Sequence, residues 1–232
     1  MKFYGSKIQK RNGEDMSGHK TALVVGATGV VGREIVRQLC EDKDYLRVFV
    51  WTRRDLDFAH EKLDVKKIDF DKISEIKPFY VDEIYCALGT TLRKARSKER
   101  FLKVDGEYVT EVAKWGKLSG AKSFSMISSL KADVNSGVFY FRAKGEAENA
   151  VKELGYDSLM IFHPSLIKGQ REEFRVFENF MITMFKLIPK NFFSSMRPMS
   201  GKQIAQAVLK VAKNPPVGAK IYRPQDVIKT NG

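Results

Sequence analysis

Apolar residues follow two alternating patterns along this chain, short continuous runs and longer segments with helical spacing. The runs are rich in β-branched and aromatic residues and predict buried strands. These strands lie at 21–25, 45–51, 65–69, 82–88, 123–128, 158–162 and 220–222. Apolar residues three and four positions apart predict helices at 30–39, 98–118, 138–154, 172–187 and 201–213. Such alternation predicts an α/β fold, a doubly wound parallel sheet with helices on both faces.

The two ends of the chain depart from this alternation. Residues 1–19 are polar and aperiodic, and we expect a flexible N-terminal arm there. Residues 20–232 are predicted to form a single domain, in which 164–232 supply small C-terminal cap elements. The helix at 172–187 is heavy in phenylalanine and methionine. That stripe is typical of a core or a helix-packing face, although it can also line a pocket.

The composition favours an intracellular globular protein. Apolar residues make up 43% of the 232 residues, and no apolar run approaches the roughly 18 residues that span a bilayer. The N-terminus lacks the apolar stretch of a secretory signal. Cys40 and Cys86 show no pairing pattern, so we expect a reducing, cytoplasmic location without disulfides. The three histidines lack metal-ligand spacing, and we expect no metal.

The net charge of +13 favours anionic partners. No zinc finger, RNP-type motif or basic helix is visible, so nucleic acid is not the expected partner. Basic residues are spread rather than concentrated in an amphipathic segment, which argues against a membrane surface. A small ligand that carries several phosphates accounts for part of the charge. The sequence does not decide between a monomer, a homo-oligomer and a complex with a protein partner.

A glycine-rich loop, Gly26-Ala27-Thr28-Gly29-Val30-Val31-Gly32, joins the first strand to the first helix. Its spacing alone is weak evidence, but its place after a buried strand and before an amphipathic helix is that of a dinucleotide-phosphate loop. Gly26 permits the tight turn, Gly29 lets a pyrophosphate approach the backbone, and Gly32 lets the helix pack closely on the strand. We therefore predict that the loop binds a cofactor through Gly26, Thr28, Gly29, Val30, Val31 and Gly32.

Arg53 and Arg54 follow the second strand, where folds that prefer NAD carry an acid for the ribose 2′-hydroxyl. Guanidinium groups favour a 2′-phosphate, so we predict NADP(H). Asp69 and Phe70, after the third strand, are predicted to border the adenine. Four residues at the end of the fourth strand and directly after it complete this side of the predicted cofactor site: Ala87, Leu88, Gly89 and Thr90.

Tyr140 and Lys144 open the helix that follows the fifth strand, and that strand ends in Ser128 and Ser129. The i,i+4 spacing puts the phenol and the ammonium on one helix face. We expect Lys144 to lower the pKa of Tyr140 from about 10 toward neutrality. Tyr140 would then donate a proton to a carbonyl oxygen, and Ser129 or Ser128 would hydrogen-bond that oxygen. Lys144 would also hold the nicotinamide ribose. The alternative is a packed tyrosine and a surface lysine.

In this order, the motifs resemble those of the short-chain dehydrogenase/reductase superfamily, and particularly its atypical branch, the Tat-interactive oxidoreductase-like proteins. The resemblance covers most of residues 20–170. It implies a Rossmann fold, NADP(H) and the serine, tyrosine and lysine roles given above. It rests on the glycine loop, Thr52-Arg53-Arg54, Asp69-Phe70, Cys86-Ala87-Leu88-Gly89-Thr90-Thr91, Val104-Asp105, Ile127-Ser128-Ser129, and Tyr140 with Lys144-Gly145-Glu146.

Three positions depart from the superfamily pattern. Ala87-Leu88-Gly89 stands where Asn-Ala-Gly is frequent, and Asp105 lies in the region where an asparagine often joins a proton relay. His163-Pro164 replaces a typical Arg-Pro pair, with Pro164 kept as a predicted cofactor contact. These departures leave cofactor binding in place and argue against fast turnover.

The sequence therefore predicts an NADP(H)-dependent oxidoreductase that acts on a carbonyl or alcohol of an unidentified small molecule. A different class, an NADP(H)-binding regulatory or scaffold protein with little turnover, is the main alternative. A sugar-nucleotide epimerase or dehydratase is disfavoured, because only about 65 residues follow Pro164, which is little for a nucleotide-sugar domain.

Overall fold

A computed structural model describes residues 19–165, 167–168 and 198–230, with the backbone of 10–11 and 14–15. Within the predicted N-terminal arm, Lys10–Arg11 pairs antiparallel with Glu14–Asp15. The other residues of 1–18 and the helix predicted at 172–187 lie outside the described residues.

Seven parallel strands form the central sheet, in the order β3-β2-β1-β4-β5-β6-β7. Their bounds are β1 Lys20–Val25, β2 Tyr45–Thr52, β3 Leu63–Lys67, β4 Glu83–Cys86, β5 Ser123–Ile127, β6 Ser158–Phe162 and β7 Gly218–Tyr222. The predicted doubly wound parallel sheet is confirmed. β3 begins and ends two residues earlier than predicted, because Asp69 instead accepts the N–H of Asp71 at 3.0 Å and starts a 3₁₀ helix, Phe70–Glu75. A separate parallel pair joins Ile167–Lys168 to Met199–Ser200.

Helices cover both faces of the sheet. They are α1 Val30–Glu41, α2 Leu92–Ala95, α3 Lys98–Leu102, α4 Tyr108–Leu118, α5 Phe139–Lys152, α6 Gly201–Lys213 and α7 Pro224–Thr230. The chain is helical throughout the predicted range 98–118, but the hydrogen-bond pattern changes within it. A π turn, Lys103–Glu107, lies between α3 and α4. There the N–H of Tyr108 bonds to the carbonyl of Lys103, five residues earlier.

Alternate residues of the strands enter two separate cores. Ala22 and Val24 of β1 face the layer of α1, α6 and α7, whereas Leu23 and Val25 face the layer that includes α4 and α5. All five residues of β6 are buried. A strand between two helical layers is buried on both faces and is therefore mostly apolar, which is why near-continuous apolar runs predicted these strands.

The described elements after Pro164 join the main fold. β7 pairs with β6, and α6 packs on α1 so closely that a Cβ at Gly201 would lie 2.4 Å from the carbonyl oxygen of Val30. Ser200 and Gln203 form a capping box at the start of α6. These elements complete the sheet and one helical layer. The division into arm, domain and cap stays a prediction.

A buried carboxylate ties three strands together at the amino edge of the sheet. The hydroxyls of Tyr45 and Tyr85 each donate to Glu83 Oε2 at 2.6 Å, and Lys20 Nζ lies 2.9 Å from Glu83 Oε1. Burial and then the charge of Glu83 raise the pKa of both tyrosines, so both hydroxyls stay protonated donors. The network fixes β1, β2 and β4 at the edge opposite the strands' carboxyl ends.

Removing one donor of this network tests its contribution to stability. Tyr45 is 3% exposed, and we expect Tyr45→Phe to lower the free energy of unfolding by about 1.5–3 kcal/mol, because a buried carboxylate loses a donor. Tyr80 also donates to a carboxylate, that of Asp82, but is 59% exposed. Tyr80→Phe should therefore change stability by less than about 0.5 kcal/mol. Urea unfolding of both variants checks this, and equal losses would contradict it.

Candidate functional site

The carboxyl ends of the central strands lie level at one edge of the sheet. Val25 of β1 pairs with Trp51 of β2 on one side and with Cys86 of β4 on the other. The chain moves outward from β1 to β3 and then returns to β4, so the strand order reverses between β1 and β4. Ligands of open α/β sheets bind in the crevice at such a reversal.

The glycine loop and the loop that follows β4, residues 87–91 (the β4 loop), meet in this crevice. Gly26 has a φ of +89°, which glycine adopts readily, and a Cβ there would lie 2.4 Å from the Ala87 carbonyl oxygen. The Ala87 N–H donates to the Val25 carbonyl at 2.8 Å. A Cβ at Gly32 would lie 2.3 Å from the Gly26 carbonyl oxygen. Both glycines are therefore required by close backbone contacts.

The first turn of α1 offers free N–H groups to an anion. Gly29 is the N-cap and has no side chain to accept them, and the first N–H groups of a helix have no partner within it. Thr28 and Gly29 are exposed, Val30 is half-buried, and Val31 is buried. These N–H groups and the helix dipole suit a phosphate, so the loop fits the phosphate end of a dinucleotide.

Arg53 and Arg54 are exposed at the carboxyl end of β2. The Thr52 hydroxyl accepts the Arg54 N–H at 3.1 Å and donates to the Arg54 carbonyl at 2.8 Å, which turns the chain at the strand end. Arg33 of α1 pairs with Asp57 at 2.8 Å and so holds the following loop beside α1. Arg53 and Arg54 therefore follow β2 at the same edge of the sheet as the glycine loop.

Asp69 and Phe70 lie beyond β3 on the same edge. Asp69 is exposed and caps the 3₁₀ helix, whereas the Phe70 ring is buried 5.4 Å from the ring of Tyr108. An open cavity of about 480 Å³ between β3 and this helix includes Asp69, Lys66 and Lys72 in its lining. It lies at the edge of the sheet, away from Tyr140.

A buried ion pair lies beneath the β4 loop. Lys144 Nζ of α5 is 2.6 Å from Asp105 Oδ1 of the π turn, and the Thr90 N–H donates to Asp105 Oδ2 at 2.8 Å. The side chains of Asp105 and Lys144 are 1% and 6% exposed. A Cβ at Gly89 would lie 3.5 Å from Asp105 Oδ1 and 3.7 Å from Lys144 Nζ. Asp105 thus connects the β4 loop to α5.

Tyr140 lies one turn before Lys144 on α5, and the Ser129 side chain is near enough to the Tyr140 hydroxyl to lower the pKa of the phenol. Its ring packs 5.4 Å from Phe101 of α3 and 5.5 Å from Phe141. The structure therefore brings together the predicted tyrosine, lysine and one serine. The tyrosine and the lysine are both in contact with other groups, so neither is a bystander on the surface.

The pKa of Tyr140 differs from the expectation. We expected Lys144 to lower it toward neutrality, but in the structure the pKa of Tyr140 is raised. Burial is the largest cause, and the negative charge of Asp105 adds to it, whereas Lys144 and Ser129 act in the opposite direction. Burial also disfavours the ammonium of Lys144, but Asp105 and Tyr140 raise the pKa of Lys144 overall. The phenol is therefore protonated at neutral pH.

Ser128 faces away from Tyr140 into a second buried cluster. Its hydroxyl donates to Glu148 Oε1, and His163 Nε2 lies 2.7 Å from the same oxygen. All three residues are buried, and the buried Pro164 follows His163 at the end of β6. The cluster joins the carboxyl ends of β5 and β6 to α5.

Sequence reasoning did not assign roles to Asp105, Glu148 and His163. Glu148 follows Lys144 by four residues and so lies on the same helix face, a signal that could have been found. Asp105 lies between Phe101 and Val109 at helical spacing, so it is an acid inside an apolar stripe. The pairing partners of both residues come from distant elements and have no signal in the sequence.

Two features are absent from the described residues, a cluster that could bind a metal ion and a helix that could span a membrane. No group of three or more His, Cys, Asp or Glu side chains could hold a metal ion there. Within the same ranges, no helix is both long and apolar enough to cross a bilayer. Cys40 and Cys86 are free, buried thiols, and burial raises the pKa of each to about 11.

The fold and the loop geometry are those of a nicotinamide-dinucleotide-binding protein. Residues 26–215 match the family described as NAD(P)H-binding, and the chain belongs to this family. Together with the relatives below, this match confirms the resemblance to atypical short-chain dehydrogenases/reductases and supports a nicotinamide cofactor.

Two relatives show to which branch of the short-chain dehydrogenase/reductase superfamily the chain belongs. The chain is 33% identical over 181 residues to Protein HTATIP2 of Rattus norvegicus, covering 76% of this chain and 74% of that protein. It is 30% identical over 224 residues to Protein FMP52, mitochondrial, of Lodderomyces elongisporus, covering 90% and 92%. The chain is therefore an HTATIP2-like member of the superfamily.

Solved structures share the fold at low identity. MoeE5 in complex with UDP-glucuronic acid and NAD has a TM-score of 0.69 at 13% identity, over 88% of this chain and 75% of that chain. A short chain dehydrogenase family protein from Francisella tularensis has a TM-score of 0.63 at 17% identity, over 90% and 99%. At these identities the likeness concerns the fold alone.

The expected cytoplasmic location is wrong, because several relatives, including those of Lodderomyces elongisporus, Debaryomyces hansenii and Candida albicans, are named mitochondrial. The expectation rested on unpaired cysteines. Unpaired cysteines indicate the lack of a disulfide, and this does not distinguish the cytosol from other reducing environments.

A side chain at Gly29 tests the phosphate loop. Gly29 has a φ of −83°, and a Cβ there would lie 3.3 Å from the Gly26 carbonyl oxygen, so Gly29→Val should fold with a small shift of the loop. It should weaken NADPH binding on the order of 100-fold by blocking the helix N–H groups. Gly137→Val is the control, because a Cβ at Gly137 meets nothing within 4 Å. Titration calorimetry checks both variants, and normal NADPH affinity in folded Gly29→Val would disprove the loop assignment.

Proposed function

We propose that the chain is an NADP(H)-dependent oxidoreductase that reduces the carbonyl group of a small molecule. One observation carries the proposal. The Tyr140 phenol, beside the Ser129 side chain and one turn before Lys144, lies at the carboxyl edge of the sheet that also holds the glycine loop. Family membership supports the cofactor class.

Some residues of the proposed site bind the cofactor, and others transfer a proton to the substrate. The glycine loop and α1 would hold the phosphates of the cofactor, and Lys144 would hold its nicotinamide ribose. The reduced nicotinamide, when bound, supplies a hydride to the carbonyl carbon. Tyr140 gives its phenol proton to the carbonyl oxygen, and the phenolate that remains is stabilised by the Lys144 ammonium.

Ser129 is the serine that this proposal assigns to the substrate oxygen. Its side chain lies beside the Tyr140 hydroxyl, so a carbonyl oxygen bound to the phenol would lie within its reach. Ser128 gives its hydroxyl hydrogen to Glu148 in the buried cluster and has no second hydrogen to offer.

The second candidate is an NADP(H)-binding regulatory or scaffold protein with little turnover. The buried pair of Lys144 and Asp105 favours it, because an ammonium that already has a carboxylate partner gives less assistance to a phenol. Tight NADPH binding without consumption of NADPH, across a panel of aldehydes, ketones and quinones, would support this candidate over the enzyme.

We also propose that the chain associates with mitochondria, which is supported by relatives that are named mitochondrial. Fractionation of cells that express the full chain tests it, and recovery only in the soluble cytosolic fraction would refute it.

The arginine pair predicts the choice of cofactor. One charge-assisted contact to a 2′-phosphate is worth about 1.5–3 kcal/mol, so NADPH should bind roughly 10- to 150-fold more tightly than NADH. Substituting Arg53→Gln and Arg54→Gln together should remove most of this preference. Arg47→Gln is a matched control, because exposed Arg47 lies six residues earlier on β2, about 20 Å away. Equal dissociation constants of NADPH and NADH in the unmodified protein would refute the assignment.

Removing the Tyr140 hydroxyl tests the proton donor. Tyr140→Phe should leave NADPH affinity nearly unchanged and reduce the rate of carbonyl reduction by about 10²–10⁴-fold. Lys144→Met should weaken both, since it removes a ribose contact and a charge beside the phenol. Tyr80→Phe, near the opposite edge of the sheet, should retain the full rate. Steady-state kinetics with stopped-flow cofactor binding separates these effects, and full kcat in Tyr140→Phe would exclude Tyr140 as the acid.

A further inference from the structure

Asp105 is a charged residue that the proposed reaction does not use directly. It lies in a π turn, a widened helical turn that is frequent at functional sites. Its carboxylate binds two elements of the site, the Thr90 N–H in the β4 loop and the Lys144 ammonium in α5. Apart from the ion pair with Lys144, Asp105 Oδ1 has no hydrogen-bond partner among the described residues.

We propose that Asp105 is a positioning residue that holds Tyr140 in its protonated, proton-donating form by pairing with Lys144, and thereby biases the site toward carbonyl reduction. The direction of the reaction rests on the proposed function. The effect on the phenol does not, because it depends only on charges already present in the protein.

The first step of the argument is the compensation of charge. An ammonium beside a phenol favours the phenolate, and a carboxylate beside the same phenol disfavours it. Lys144 and Asp105 are 2.6 Å apart and almost fully buried, so little solvent screens either charge. The phenol therefore faces an ion pair rather than a lone cation.

The second step concerns the other groups around the phenol. Within the described ranges, the groups that face Tyr140 or Lys144 are Asp105 on the π turn, Ser129 after β5 and Cys86 of β4. The Cys86 thiol is neutral at physiological pH, since burial raises its pKa to about 11. The rings of Phe101 and Phe141 are apolar and add to burial. Asp105 is thus the acid that opposes Lys144.

The third step is chemical. Reduction of a carbonyl needs a proton donor, and oxidation of an alcohol needs a base in the same place. A phenol that keeps its proton at neutral pH serves reduction directly. Oxidation by the same residue would require a higher pH, at which Tyr140 becomes phenolate.

Titration of Tyr140 tests the proposal without a substrate. The near-ultraviolet absorbance of phenolate is followed as pH rises, and the curve of the Tyr140→Phe variant is subtracted to isolate Tyr140. In the unmodified protein the midpoint should lie above about 10, the ordinary value. Asp105→Asn, which keeps an acceptor for the Thr90 N–H, should lower the midpoint by about one pH unit or more.

Glu148→Gln is the matched control. It also converts a buried carboxylate of this region into an amide, but Glu148 contacts Ser128 and His163 rather than Lys144. A general loosening of α5 would change the titration in both variants, whereas the proposed effect appears only in Asp105→Asn. Circular dichroism across the pH range identifies the interval in which each variant is folded.

Two results would overturn the proposal. One is an equal Tyr140 midpoint in Asp105→Asn and the unmodified protein. The other, which needs no Asp105 variant and so applies even if Asp105→Asn does not fold, is a midpoint at or below about 10 in the unmodified protein. With a carbonyl substrate, the alkaline fall of the reduction rate should move to lower pH in Asp105→Asn by the same amount as the midpoint. If the midpoint shifts but no carbonyl is ever reduced, the oxidoreductase proposal fails while the role of Asp105 toward Tyr140 stands.

Discussion

The contact between Gly26 and Ala87 is the constraint on which the site depends. A Cβ at Gly26 would lie 2.4 Å from the Ala87 carbonyl oxygen, so the glycine loop and the β4 loop meet backbone to backbone. The β4 loop is fixed in turn by Asp105, which accepts the Thr90 N–H and pairs with Lys144. One series of short contacts therefore connects the phosphate end of the crevice to α5. The spacing between the two ends is set by close backbone contacts and a buried ion pair.

Much of the fold could be predicted from the sequence because its signals are local. Strands buried between two helical layers are mostly apolar on both faces, and α6 was predicted with the bounds observed, 201–213, because its apolar spacing is regular. β3 was displaced by two residues, since four of the five residues in Leu63–Lys67 are exposed and leave little apolar signal. The π turn was missed because a helix that widens by one residue keeps nearly the same periodicity.

The residues of the site also divide into those that local sequence signals predict and those that they do not. The glycine loop and the pair of Tyr140 and Lys144 have fixed spacings, and the structure places these residues at one edge of the sheet. The partners of Lys144 could not be predicted, because Asp105 reaches it from another helix. The direction of the Tyr140 pKa shift was predicted with the wrong sign for the same reason. A neighbouring lysine is visible in the sequence, whereas burial and a compensating acid are properties of the folded chain.

Helix α5 acts as the common support of the site. Tyr140, Lys144 and Glu148 follow one another at single-turn intervals, and each contacts a different element: Ser129, Asp105, and the cluster of Ser128 and His163. Gly145 lets the helix press against the preceding loop, where a Cβ would lie 2.5 Å from the Asp133 backbone. The groups are therefore ordered and their charges compensated before any ligand binds. In the proposed function, a ribose that binds Lys144 would meet an ammonium with an existing partner, so it would gain less than it would from a free cation. In the proposed function, the balance between turnover and retention of the cofactor would therefore depend on how strongly Asp105 competes for that ammonium.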